Sequence, residues 1–207
     1  MFRHRSLAIL LLSLVIGGVL VMEARAGVPT NQVKQSVDRV LEIVRSKELK
    51  QPSRLAERRA AIRKVVAERF DFEEMARRAM ALHWAKRTAE EKQEFIPLFT
   101  DLLERSYIKK IESYEDEQIL YIGEQLDNPN AVVKSKVITK RRVEIPLDYR
   151  LINEKGSWRV YDVVIEGVSL VNNYRTQFNK IITRESYEAL VKKMRSKEAE
   201  LSFEEKK

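Results

Sequence analysis

Apolar residues recur at helical spacing through the first half of the chain and at alternate positions through much of the second. Val33, Val37, Val40, Leu41 and Val44 share one stripe of a helix. Gln51-Pro52-Ser53 interrupts it, and Leu55, Ile62, Val65 and Val66 resume the pattern. In "FDFEEMARRAM", Asp71 is placed as an N-cap and Glu74 as the return half of a capping box. Phe70 and Met75 there suit a hydrophobic staple. Thr88 and Glu91 form a second box, opening a longer helix with Phe95, Leu98, Phe99, Leu102 and Leu103 on one side. Pro97 inside it predicts a kink, because its ring clashes with the carbonyl four residues back.

Beyond Tyr114 the period changes to that of strands. "QILYIGEQ" and "AVVKSKVITK" read as two strands joined at "NPN". In "RVEIPLDYRLI", Val143, Ile145, Leu147, Tyr149 and Leu151 alternate with polar or edge-tolerant residues, the mark of one buried face. Pro146 points outward and predicts an edge strand or a bulge. A turn over residues 153–156 leads into a fourth strand, "WRVYDVVIEG". Ser169 then caps a helix with Leu170, Tyr174, Phe178 and Ile181 on one face, and a last helix carries Tyr187, Leu190 and Met194. Helices, then a meander, then helices define an α+β fold. The expected architecture is a set of helices wrapped around a curved, mainly four-stranded antiparallel sheet, with a pocket between the layers. Residues 27–196 form one domain, and the charged stretch 197–207 is expected to be disordered.

The chain start changes the compartment. Arg3, His4 and Arg5 precede an apolar run over residues 7–22, followed by Ala24-Arg25-Ala26. These are the three regions of a cleavable secretory signal, predicted to end at residue 26. The run is broken by Gly17-Gly18 and is shorter than the roughly 20 residues that span a bilayer. The chain has no cysteine, so an exported form depends on an apolar core and cannot carry lipid on an N-terminal Cys. Net charge is +8, to which the leader contributes little. In an exported protein such a surface fits anionic headgroups or an acidic partner, or simply solubility, and no nucleic acid is expected.

Catalytic chemistry is sparse. His83 is the single histidine beyond the leader and sits beside Trp84, where a structural or surface role is expected. Gly167-Val168-Ser169-Leu170-Val171 lacks the second glycine of a nucleophile elbow, and no histidine follows. Asp71, Glu73 and Glu74 suit a helix start better than a metal site, and Glu115-Asp116-Glu117 lacks calcium-loop spacing. Asp162 interrupts an apolar strand face and is expected either to bond a neighbour such as Arg175 or to face water. Neither a cofactor nor a metal is predicted, nor an enzyme. Aromatic and aliphatic stripes are the abundant resource, and their periodicity does not distinguish a filled core from a lined cavity.

Three blocks, "FDFEEMARRAMALHW", "FIPLFTDLLERSYIKKIESY" and "WRVYDVVIEGVSLVNNYRTQF", resemble the MlaC, or toluene-tolerance, family of periplasmic phospholipid-binding proteins. The resemblance runs over residues 33–182 and keeps the order and spacing of the blocks. Departures are Pro97, Arg141-Arg142 where a glycine-containing turn is usual, and the longer charged tail. The resemblance implies a fold related to the NTF2-like cone, with acyl chains between sheet and helices and the headgroup left near solvent. It also implies a soluble, monomeric periplasmic carrier. Such a carrier would move phospholipid between an outer-membrane lipoprotein complex and the inner-membrane MCE-domain protein of an ABC transporter, maintaining outer-membrane lipid asymmetry.

From the buried-face patterns and the resemblance together, the candidate lipid-lining residues on the helices are Phe72, Met75, Phe95, Phe99, Leu102 and Tyr107. On the strands and following helix they are Leu147, Tyr149, Val163, Ile165, Val168, Tyr174 and Phe178. Apolar lining predicts weak headgroup selectivity and stronger dependence on chain volume. The alternative is an envelope interaction module with a filled core and no lipid cargo. An enzyme on the same cone would need polar groups deep in the pocket, for which Asp162, Tyr149 and Tyr161 are the available residues.

Overall fold

A computed structural model describes residues 27–115 and 117–196, so the predicted leader and tail lie outside the described residues. Helices α1 (Val28–Arg45), α2 (Leu55–Arg69), α3 (Phe72–Met80) and α4 (Ala89–Glu112) come first. Strands β1 (Gln118–Asp127), β2 (Asn130–Ile138), β3 (Glu144–Glu154), β4 (Ser157–Ile165) and β5 (Val168–Ser169) follow. Helices α5 (Leu170–Arg184) and α6 (Tyr187–Arg195) complete the fold. Among the described residues no helix is long and apolar enough to cross a membrane.

Side-chain caps fix several helix starts. Thr88 and Glu91 form a complete reciprocal box at α4, which continues unbroken through Pro97. The box expected at α3 forms by half. Asp71 accepts from the Glu74 N–H at 2.9 Å, but the Asp71 N–H goes to the Val160 carbonyl at 2.8 Å, and the Glu74 carboxylate is taken by Arg77 and Arg78. The diverted N–H pins the start of α3 to β4. Ser169 and Ser186 cap α5 and α6. The N-terminus of α1 is anchored to β1, where Glu124 accepts from the Thr30 N–H at 2.9 Å and from its hydroxyl at 2.6 Å.

The strands form an open antiparallel meander in sequential order, with bulges at Tyr121/Gly123 and Arg150/Leu151 that bend it. The short fifth strand extends the four expected from alternation. It exists because Glu166 and Gly167 adopt positive φ, folding Val168 back against Ile165. Lys155 and Gly156 do the same between β3 and β4. Two expectations for β3 are corrected. Val143 is 54% exposed because it belongs to the turn before the strand, held by bonds to Thr139. Pro146 lies on an interior strand, yet its missing N–H costs no ladder bond. In an antiparallel pair a residue's N–H and C=O face the same neighbour, and the Pro146 carbonyl already faces Glu166, just past the end of β4.

Apolar side chains gather in three clusters. Met75, Phe95, Phe99, Leu102, Tyr174, Phe178 and Leu190 belong to one, where α3, α4, α5 and α6 meet. Val33, Val133, Tyr149, Leu151, Val160 and Val163 belong to the second, on the inner sheet face beneath α1. Val44, Ile62 and Ile108 form the third, between α1, α2 and α4.

Candidate lipid-binding site

The three clusters are distinct, with Phe70 and Tyr107 packed against both the first and the second. Where they face one another lies an apolar cavity of about 250 Å³. Its floor is the sheet, through Leu147, Tyr149, Val163 and Ile165, with Leu170 at the start of α5. One wall is α2, through Ile62 and Val66; opposite stand Leu103, Tyr107, Ile108 and Ile111 of α4, with Phe70, Phe72 and Met75 at the α2–α3 junction. Phe70 stacks on Phe72 at 6.0 Å between ring centroids. Close-packed interiors leave few voids larger than a water, and an apolar void of about 150 Å³ already stays dry and takes up apolar molecules. The geometry therefore suits hydrocarbon. Burial raises the phenol pKa of Tyr107 and Tyr149, so both face the cavity uncharged.

Seven of the thirteen candidate residues meet here: Phe72, Met75, Tyr107, Leu147, Tyr149, Val163 and Ile165. Phe95, Phe99, Leu102, Tyr174 and Phe178 do not line it. They pack among themselves, with Phe95, Tyr174 and Phe178 all within 6.0 Å of Phe99 between ring centroids. The reason is that α4 is apolar on two sides: Phe95, Phe99 and Leu102 face α5 and α6, while Leu103, Tyr107 and Ile111 face α2 and the sheet. Val168 pairs with Ile165 from the outer edge of the sheet, is 48% exposed, and borders a separate polar cleft with Arg78, Arg150 and Arg175. Sequence reasoning did not place Ile62, Val66, Phe70, Leu103, Ile108, Ile111 or Leu170 on the wall. Ile62 and Val66 shared a recognised stripe, but nothing in a stripe says what it faces.

The other candidate groups are structural. His83 Nε2 lies 2.9 Å from Asn179 Oδ1. The Asp162 carboxylate is buried and bonded on both oxygens; its charged partner is Arg150, not Arg175, whose Nε donates to the Arg78 carbonyl. It faces the polar cleft rather than the apolar cavity. Among the described residues no group of three His, Asp or Glu is placed to hold a metal ion.

An open antiparallel sheet closed over by helices around an apolar hollow has the geometry to hold an apolar ligand. The MlaC family model, described as "MlaC protein", matches residues 34–196. The chain belongs to the MlaC family. It is similar to the intermembrane phospholipid transport system binding protein MlaC of Haemophilus influenzae, 24% identical over 141 residues. That match covers 66% of this chain and 66% of the relative, just under two thirds of the relative's length. A phospholipid-binding protein from Ralstonia solanacearum, solved in complex with a phospholipid, superposes with a TM-score of 0.74. It is 27% identical, over 83% of this chain and 97% of that one.

Proposed function

We propose that the protein is a periplasmic phospholipid carrier that shelters acyl chains in the cavity between the sheet and helices α2 to α4. The observation that carries this reading is the vacancy itself: three apolar clusters surround a hollow that their own side chains leave unfilled. A diacyl phospholipid exposes about thirty methylenes, and at ~0.8 kcal/mol each their hydration costs on the order of 25 kcal/mol. Free passage between membranes is negligible at that cost. A carrier replaces bilayer contact with pocket contact at nearly equal free energy, and no bond need be made or broken.

The cavity lies just under the roughly 300–1,000 Å³ of pockets that enclose drug-sized ligands, so loading a diacyl lipid requires the wall to widen. Of the enclosing elements, α2 is the one joined to α4 by the ion pairs Arg59–Glu112 and Arg63–Glu104. The named relatives support phospholipid as the cargo. Delivery between an outer-membrane lipoprotein complex and an inner-membrane MCE-domain transporter, with maintenance of outer-membrane asymmetry, completes the proposal. Native mass spectrometry of protein purified from cells without detergent tests it. The expected spectrum contains a complex heavier than the chain by the mass of a phospholipid; a spectrum of unliganded chain alone favours the envelope adaptor with no cargo.

A further inference from the structure

The polar side chains at the cavity, apart from phenols, come from two facing helices: Arg59 and Arg63 of α2, Thr100 and Glu104 of α4. The arginine side chains are 35% and 59% exposed, so here the apolar hollow meets water. Four residues apart, Arg59 and Arg63 share one face of α2. Each is gripped at two points by a carboxylate of α4. Arg63 donates from Nε and Nη2 to Glu104, both at 2.6 Å, and Arg59 donates from the same atoms to Glu112 at 3.0 and 2.9 Å.

A guanidinium fork that fits two carboxylate oxygens fits two phosphate oxygens equally well. Building on the carrier reading, we infer that Arg59 and Arg63 receive the phosphate of the lipid headgroup, releasing Glu112 and Glu104 as the tails enter between α2 and α4. A phosphodiester is charged and cannot follow its tails into an apolar cavity unpaired. The guanidiniums at the rim are the charged donors within the lining. Exchange keeps both arginines paired throughout, and the displaced carboxylates turn to water at the rim. The same glutamates, when paired with the arginines, hold α2 against α4 at the entrance. The site reads the phosphate common to all phospholipids, so it separates them from neutral diacyl lipids without ranking their headgroups.

The test offers lipid-stripped protein vesicles containing a phospholipid and a diacylglycerol with identical chains, then quantifies the cargo by mass spectrometry. Wild-type protein takes predominantly phospholipid. In R59Q/R63Q the phospholipid-to-diacylglycerol ratio falls by about tenfold, the factor that a single charge-assisted hydrogen bond supplies. In E104Q/E112Q, whose arginines are freed, the ratio holds or rises. An excess of inorganic phosphate leaves uptake unchanged, because free phosphate has no tails to open the entrance. An unchanged ratio in R59Q/R63Q, a fall in E104Q/E112Q, or competition by inorganic phosphate overturns the headgroup site while the carrier reading stands. Wild-type protein that takes neither lipid overturns both. Circular dichroism checks folding, and R63Q alone supplies the same comparison if the double variant is unfolded.

Discussion

The backbone N–H of Val171 donates to Asp162 Oδ1 at 3.0 Å, joining the first turn of α5 to the middle of β4. The other carboxylate oxygen accepts from the Ser169 hydroxyl at 2.6 Å and Arg150 Nη1 at 3.1 Å. One buried anion thus serves a helix start, its capping residue and a neighbouring strand. Asp162→Ala leaves the buried Val171 N–H without its acceptor and is expected to cost about 2–4 kcal/mol. Asp162→Asn keeps one carbonyl oxygen and costs less. Urea denaturation measures both, and a loss below about 0.5 kcal/mol for the alanine variant, typical of an ordinary surface site, would remove Asp162 from this role.

The cavity and the aromatic cluster respond differently to substitution. Val163→Phe puts a larger side chain into the hollow and is expected to lower retained lipid while the fold persists. Phe99→Ala empties a filled cluster and costs about 3–5 kcal/mol of stability, with lipid per folded molecule unchanged. Co-purified lipid and thermal unfolding, measured on both variants, check the distinction. The opposite assignment of effects would place the ligand among the aromatic rings.

Arg142 carries a φ of 60° in the β2–β3 turn, a conformation that non-glycine residues adopt at a cost of roughly 1–2 kcal/mol. Part of that cost returns in Arg142→Gly, since glycine gains freedom in the unfolded chain. The expected outcome is a stabilisation of about 0.5–1 kcal/mol in chemical denaturation, without a change in lipid content.

Acid should loosen the clasp between α2 and α4. The hydrogen bond from Arg59 holds the Glu112 carboxyl below the ordinary glutamate value of 4.5. A carboxyl depressed in the folded state contributes stability above its unfolded pKa, and that contribution is lost as pH falls through the folded value. The wild type therefore exceeds Glu112→Gln in stability at neutral pH, and the two converge progressively as pH falls below the ordinary glutamate value. Denaturation midpoints across that range check this, and curves that stay parallel into acid contradict it.

Helices, caps and the four long strands were legible because amphipathic period and capping chemistry are local. The strand face of Asp162 was not. The bulge sets Arg150 against Asp162 and Leu151 against Val160, which inserts Tyr161 and breaks the alternation. Nor could a pattern divide α4. Phe99 and Tyr107 stand on the same helix and look alike in sequence, yet one fills a cluster and the other lines a void, according to what α2 and α5 bring against them. Glu104 and Glu112 carry no local signal of their partners, because Arg63 and Arg59 lie more than 40 residues earlier in the chain and only the fold sets them together.

The location of the acyl chains is the claim on which the rest depends. A phospholipid with a photoreactive diazirine at the end of one chain, loaded and irradiated, reports it directly through the peptides that carry adducts. Adducts are expected at cavity residues such as Phe72, Met75, Leu147 and Val163. Adducts confined to the outer sheet face, or to the cluster around Phe99 and Phe178, would contradict the account.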